Sequence, residues 1–216
     1  VRKNRVFGNV AGIEIENSEN ADVTLNDVHD NTAGILVFNL PDLVKKQGQR
    51  TRVFANHIYR NNDKNFSTKG SIINLVPKGM GVFLMAARFV EIFDNDIEGH
   101  TLGGVAVANY AISERKVRDP SFDPMPKGIM IHSNRFKNPG LTFFDGSRMN
   151  FIIKLLSGLR AKDVIFDGID DGTYNGSKPL PEHRLCIEAS RLVNLHLDHQ
   201  RPHFPFPGGP VTRSLR

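Results

Sequence analysis

The chain has 216 residues, 39% of them hydrophobic, with 19 glycines and 12 prolines, which suits one domain built from strands and frequent turns. Lys and Arg number 28 against 23 Asp and Glu, a formal charge of +5. This modest balance favours an acidic partner, although an ordinary solvated basic surface accounts for it as well. The single cysteine, Cys186, excludes an internal disulfide and reads as an inert strand residue, and no apolar run is long enough to span a membrane as a helix.

Residues Val1 to Asn9 read as the tail of one repeat, and GIEIENSENADVTLNDVHDN, from Gly12 to Asn31, as a complete one. Asn26 follows Gly12 by 14 residues, and Asn95 follows Gly81 by the same 14. Gly34 comes 22 residues after Gly12, and Gly104 comes 23 after Gly81. The motif N-x-φ-x-x-N (φ apolar) recurs at Asn4-Val6-Asn9, Asn26-Val28-Asn31 and Asn56-Ile58-Asn61. Self-similarity at such a period marks a solenoid.

Within each repeat the apolar residues alternate. Ile13/Ile15, Val23/Leu25, Ile35/Val37, Val82/Leu84, Val90/Ile92 and Val105/Val107 have strand spacing and are rich in β-branched side chains. Three short strands in a turn of about 22 residues predict an all-β parallel β-helix of about seven turns. Asparagines at a fixed corner suit it, because Asn tolerates left-handed backbone and its amide can bond its copy one turn away.

Three excursions interrupt the ladder: LPDLVKKQGQR after Asn39, NDKNFSTKGSIINLVPKGM after Asn61, and YAISERKVRDPSFDPMPK after Asn109. GIMIHSNRF then resumes it, with Asn134 in the asparagine place. FIIKL (Phe151–Leu155) and VIFDGI follow, Asp167 standing for the asparagine, and Ile187 to Asp198 is expected to repeat the register of Ile15 to Asn26. The β-helix is expected over residues 1–199. Residues 200–216, rich in Pro and Gly, read as a tail or cap packing Phe204 and Phe206 on the last turn. The chain opens mid-repeat without a cap, so a fragment of a longer protein is expected.

One face departs from simple alternation. Outward positions of the Gly-led strands read Glu14 and Glu16, then Leu36 and Phe38, Phe83 and Met85, and Ala106 and Ala108. A strand apolar on both sides is covered on both sides, so the excursions are expected to fold over this strip, where loops on a rigid scaffold build sites.

The pattern resembles the right-handed parallel β-helix repeat proteins, the superfold of pectate lyases, polygalacturonases and alginate epimerases. GILVFNLPDL (Gly34–Leu43) and the stretch Gly81–Asn109 resemble more specifically an uncharacterised exported bacterial family of parallel β-helix repeat proteins. The resemblance covers about Val1 to Asp198. It implies a right-handed solenoid, a secreted or periplasmic location, and an acidic polysaccharide or cell-envelope partner.

Enzymes that cut or epimerise acidic sugars need a cation for the uronate carboxylate, a base at C5 and an acid for the leaving oxygen. The resemblance makes Arg88, Tyr110 and His132 the catalytic candidates, and Asn39, Lys45, Lys46, His100 and Asn109 the substrate-binding ones. Plain structural readings stand beside these: an asparagine ladder, a packed histidine, and an ion pair of Arg88 with Glu91 or Asp94. The epimerase DPHD motif is absent, and the polygalacturonase aspartates survive only as DGIDDG (Asp167–Gly172) and Gly99-His100, in the wrong order. Asp167, Asp170 and Asp171 could bind Ca²⁺, but an exposed acidic turn is preferred, and no cofactor is expected. Nucleotide, serine-hydrolase and zinc motifs are missing. No stretch interleaves basic and aromatic residues as nucleic-acid binders do. The expectation is therefore a lyase- or epimerase-like protein, or a simple binder, for an acidic polysaccharide; the alternative is a non-catalytic scaffold that docks a protein partner.

Overall fold

A computed structural model describes residues 1–137, 160–168 and 184–195. The chain runs through β1 (Arg5–Val6), β2 (Ala11–Glu16), β3 (Asp22–Thr24), β4 (Asp27–His29), β5 (Ala33–Phe38), β6 (Thr51–Phe54) and β7 (His57–Tyr59). It continues through β8 (Met80–Met85), β9 (Arg88–Phe93), β10 (Asp96–Glu98), β11 (Gly103–Ala108), β12 (Lys127–His132) and β13 (Arg135–Lys137). The last described strands are β14 (Lys162–Phe166), β15 (Leu185–Ile187) and β16 (Leu192–Asn194). Among the described residues the only helical turns are two 3-10 segments, Ile72–Leu75 and Tyr110–Ser113.

These strands form three sheets. Sheet I is β2-β5-β8-β11-β14-β16, sheet II is β3-β6-β9-β12-β15, and sheet III is β1-β4-β7-β10-β13. Neighbours in each sheet pair in parallel, one turn apart in sequence, as Ile13↔Ile35, Val53↔Ile92 and Ile58↔Ile97 illustrate. The protein is thus an all-β, β-helix-like solenoid of three parallel sheets. Its interior is filled by the alternating residues, with Val23, Val28, Ile35, Val53, Ile58 and Val82 fully buried. Each turn covers the apolar side chains of the next, so stability accumulates between neighbours.

The corners explain the asparagines. Between sheets II and III, Asn4, Asn26, Asn56, Asn95 and Asn134 stack, each side-chain amide donating to the next Oδ1 at 2.9–3.0 Å. Each Oδ1 also accepts the backbone N–H of the asparagine one turn earlier, as Asn56 does from Asn26 at 3.0 Å. A second ladder, Asn9–Asn31–Asn61, runs between sheets III and I. The left-handed backbone falls one residue earlier than the sequence suggested. Lys3, Leu25, Ala55, Asp94 and Ser133 precede the first ladder with φ of 52–57°. That residue turns the chain and aims the next side chain inward, so the asparagine is there for its amide.

Gly34 shows why the sheet I strands open on glycine. A Cβ there would lie 2.4 Å from the Gly81 carbonyl oxygen, 2.8 Å from Ile58 Cγ2 and 3.0 Å from Asn61 Nδ2. Ladder amide and strand backbone meet too closely for any side chain.

Two register expectations change. Ile187 lies on β15 in sheet II, paired with Ile131, and not beside the sheet I residues with which its sequence echoes align it. The sheet I strand of that turn is β16. Asp167 likewise ends a sheet I strand: Phe166 pairs with Val107, so Asp167 stands opposite Ala108, one residue short of Asn109. Alternation alone cannot say which of three sheets a short strand joins. FIIKL, Asp170, Asp171, Phe204, Phe206 and the expected 199/200 boundary lie outside the described residues.

Candidate functional site

The outer strip of sheet I is apolar and partly covered, as its composition required. β5 and β11 are buried along their whole length, whereas β2 alternates and exposes Glu14 and Glu16. A second apolar cluster, including Leu36, Phe38, Val76, Met85, Ala106 and Ile165, forms outside the solenoid. Two excursions supply its cover. The segment after Asn61 lays Ile73 and Val76 over the strip, and the 3-10 turn after Asn109 adds Ile112. The first excursion adds Leu40 to the edge of that cluster, while Asn17 and Asn39 hold its Lys45 and Gly48 carbonyls at the sheet I–sheet II corner.

Between these two flaps and the strip lies a groove of about 710 Å³. Its floor is the outward row Leu36–Phe83–Ala106–Ile165 and the row Phe38–Met85–Ala108 beside it. Its ionisable lining is Glu14 and Glu16 at the β2 end, Lys64 and Lys78 on one flap, Glu114 on the other, and Asp167 toward β14. Asp167 accepts the Asn109 N–H at 2.6 Å and so closes the turn. Burial, reinforced by the neighbouring Glu16 charge, raises the Glu14 pKa above the usual carboxylate value.

None of the sequence-derived candidates lines this groove. Arg88 donates to Gln47 at 2.6 Å and pairs with Asp123 at 3.2 Å, in place of the Glu91 or Asp94 expected from sequence. Lys127 joins the same Asp123 at 2.8 Å. Lys46 pairs with Asp119 at 2.5 Å and holds that carboxyl down to about 2. The buried Tyr110 ring meets Phe122 edge-on at 5.2 Å, and the Asn109 amide reaches Met125 Sδ. These groups together latch the third excursion to the solenoid and to the first excursion. Asn39 clamps Gly48, accepting its N–H at 2.6 Å and donating to its carbonyl at 3.1 Å. Lys45 pairs with Glu19 at 2.9 Å.

His132 sits on the outer face of sheet II, bonded to Glu91 at 3.0 Å and stacked on Phe93. Lys127 is the residue paired with Arg88, so His132 lies five residues further along, about 16 Å at strand rise. His100 is buried and takes the fourth place in the second ladder, its Nε2–H donating to the Ile58 carbonyl at 3.1 Å. Burial pushes its pKa down to about 4, so the ring is neutral at physiological pH. Arg88, Tyr110 and His132 therefore do not converge on one substrate position.

The latch has a measurable consequence. Arg88→Met is expected to lose ~1 kcal/mol of local stability, about fivefold more open excursion. Limited trypsin digestion at Arg115, Lys116 and Arg118 should speed up by that factor; an unchanged rate would show the excursion held without Arg88.

The groove residues that sequence reading missed are Ile73, Val76, Lys64 and Lys78. The signal was the apolar run IINLV inside an otherwise polar excursion, which marks a loop that packs down. Among the described residues no group of three or more His, Cys, Asp or Glu side chains is placed to hold a metal, and no helix is long and apolar enough to cross a membrane. No family model, curated protein or solved structure matches the chain.

Proposed function

We propose that this protein is a non-catalytic binding scaffold whose sheet I groove holds an apolar or amphipathic ligand. The observation that carries the reading is the groove itself: a continuous apolar floor on rigid strands, walled by two excursions that leave about 710 Å³ between them. That volume is typical of small-ligand sites, which are mostly apolar with a few polar groups. The reading is favoured over a lyase or epimerase for an acidic polysaccharide because the cations such an enzyme would use are engaged elsewhere. Arg88, Lys45 and Lys46 each hold an acidic partner, and among the described residues the groove lining carries more carboxylates than amines. The solenoid is taken as right-handed, since parallel crossovers run right-handed, and the sequence resemblance and repeat period imply a pectate-lyase-like fold of about seven turns. The sequence resemblance further implies a periplasmic or secreted location.

Titration of the full chain with the neutral fluorophore Nile red tests the groove. Saturable fluorescence gain is expected for the native protein and for Met130→Trp on sheet II. Ala106→Trp and, separately, Ala108→Trp fill the floor and should weaken binding about tenfold or more, about 1.4 kcal/mol. Absence of saturable binding, or unchanged binding in both variants with native far-UV circular dichroism, would overturn the proposal.

A further inference from the structure

Acidic side chains on the outer faces of this solenoid are paired. Asp22 meets Arg52 at 2.8 Å, Asp30 meets Arg60 at 3.1 Å, Glu91 meets His132 at 3.0 Å and Glu98 meets His57 at 3.0 Å. Most of these partners sit one turn away, because parallel register sets the same outward position of successive turns side by side. Glu14 and Glu16 break the rule. Their register neighbours are Leu36 and Phe38, and among the described residues no hydrogen bond or ion pair reaches either carboxylate. Both are exposed, and both line the β2 end of the groove. Two unpaired carboxylates two residues apart on one strand face repel each other, and the apolar floor beside them lowers the dielectric that would screen them.

We infer that the groove's ligand is a cationic amphiphile of small-molecule size, its apolar body on the Leu36–Phe83–Ala106 floor and its positive group between Glu14 and Glu16. This rests on the binding-scaffold reading and adds the ligand's charge and orientation. A cation there supplies the counter-charge that the register denies to this pair, and the chain beyond it lies along apolar side chains. The raised Glu14 pKa has the matching causes, first the partial desolvation of its carboxyl at the groove edge and then the Glu16 charge. Lys64 and Lys78 line the flap side of the groove and set the competing arm of the test, since an anionic amphiphile would turn its head toward them.

Displacement of Nile red from the full-length chain by dodecyltrimethylammonium and by dodecanoate, both below their micellar range, decides the matter. The ammonium is expected to displace the dye at about tenfold lower concentration than the carboxylate. In Glu14→Gln/Glu16→Gln that ratio should fall to near one, and Lys64→Gln/Lys78→Gln should leave the ammonium preferred. If both amphiphiles displace equally, if dodecanoate is preferred, or if the glutamine pair leaves the ratio unchanged, the inference fails while the groove reading stands. If Nile red does not bind at all, the groove reading itself fails.

Discussion

Asn56→Ala is expected to lower stability by about 3 to 4 kcal/mol, a loss matched in the ladders only by Asn95, which makes the equivalent bonds. Asn56 lies in the middle of the first ladder and is 2% exposed. Its Oδ1 accepts both the backbone N–H and the side-chain amide of Asn26, at 3.0 and 2.9 Å. Its Nδ2 reaches the Val23 and Phe54 carbonyls and Asn95 Oδ1, at 2.9–3.0 Å. Alanine would take away the acceptor of both Asn26 donors and the donor to the Val23 and Phe54 carbonyls, and unpaired buried groups cost far more than a made bond contributes. The midpoint of thermal unfolding should fall by about 10 °C. Asn9→Ala, at an exposed position of the second ladder, should cost about 1 kcal/mol or less. Equal losses at the two positions would mean that the ladders are incidental to stability.

Acidification should destabilise the native fold well above the range where its carboxylates titrate, through His100. Its folded pKa is pushed from 6.5 down to about 4, chiefly by complete burial. Between those values the unfolded chain binds a proton that the folded chain refuses, so stability falls as pH drops from about 6.5 toward 4 and levels off below. The loss amounts to about 3 kcal/mol. His100→Asn should remove most of this slope, because asparagine is the residue that fills the equivalent ladder places at Asn31 and Asn61, reaching the Val6 and Val28 carbonyls at 3.1 Å. Urea midpoints at about pH 7.5 and 4.5 for both proteins test it; parallel shifts in the two would assign the acid sensitivity elsewhere. Glu19, Asp22, Asp30 and Glu98 have lowered pKa values, caused first by hydrogen bonds from Lys45, Arg52, His29 and His57 respectively. Their contribution is lost only at lower pH, through the carboxylate range, which keeps the two effects separable.

The same neutral, buried ring changes how His100 is read. In sequence, Gly99-His100 looks like part of a sugar-cleaving motif, whereas in the fold the imidazole continues a column of amides. An Nε2–H and an amide N–H both satisfy a carbonyl one turn back, so the ladder accepts either. Arg88 and Lys46 illustrate a different limit. Their basic character is plain in the sequence, but their partners Asp123 and Asp119 belong to an excursion far along the chain. Nothing in local pattern announces that those charges are already used.

What the sequence determined by itself was the solenoid: its parallel strands, its inward residues and its asparagine corners. Each turn's neighbours are its own near-copies, so period and alternation carry the packing instructions directly. It also determined that the strip Leu36–Phe38–Phe83–Met85–Ala106–Ala108 must be covered, since an apolar outward row is costly in water. Tertiary structure alone decided what covers the strip, which carboxylates are left without a partner, and where the groove opens. Those outcomes depend on how non-repeating excursions pack and on which register neighbour each outward side chain meets. The repeat period constrains neither the excursions nor the chemistry of outward positions, so Glu14 and Glu16 acquire meaning only beside Leu36 and Phe38.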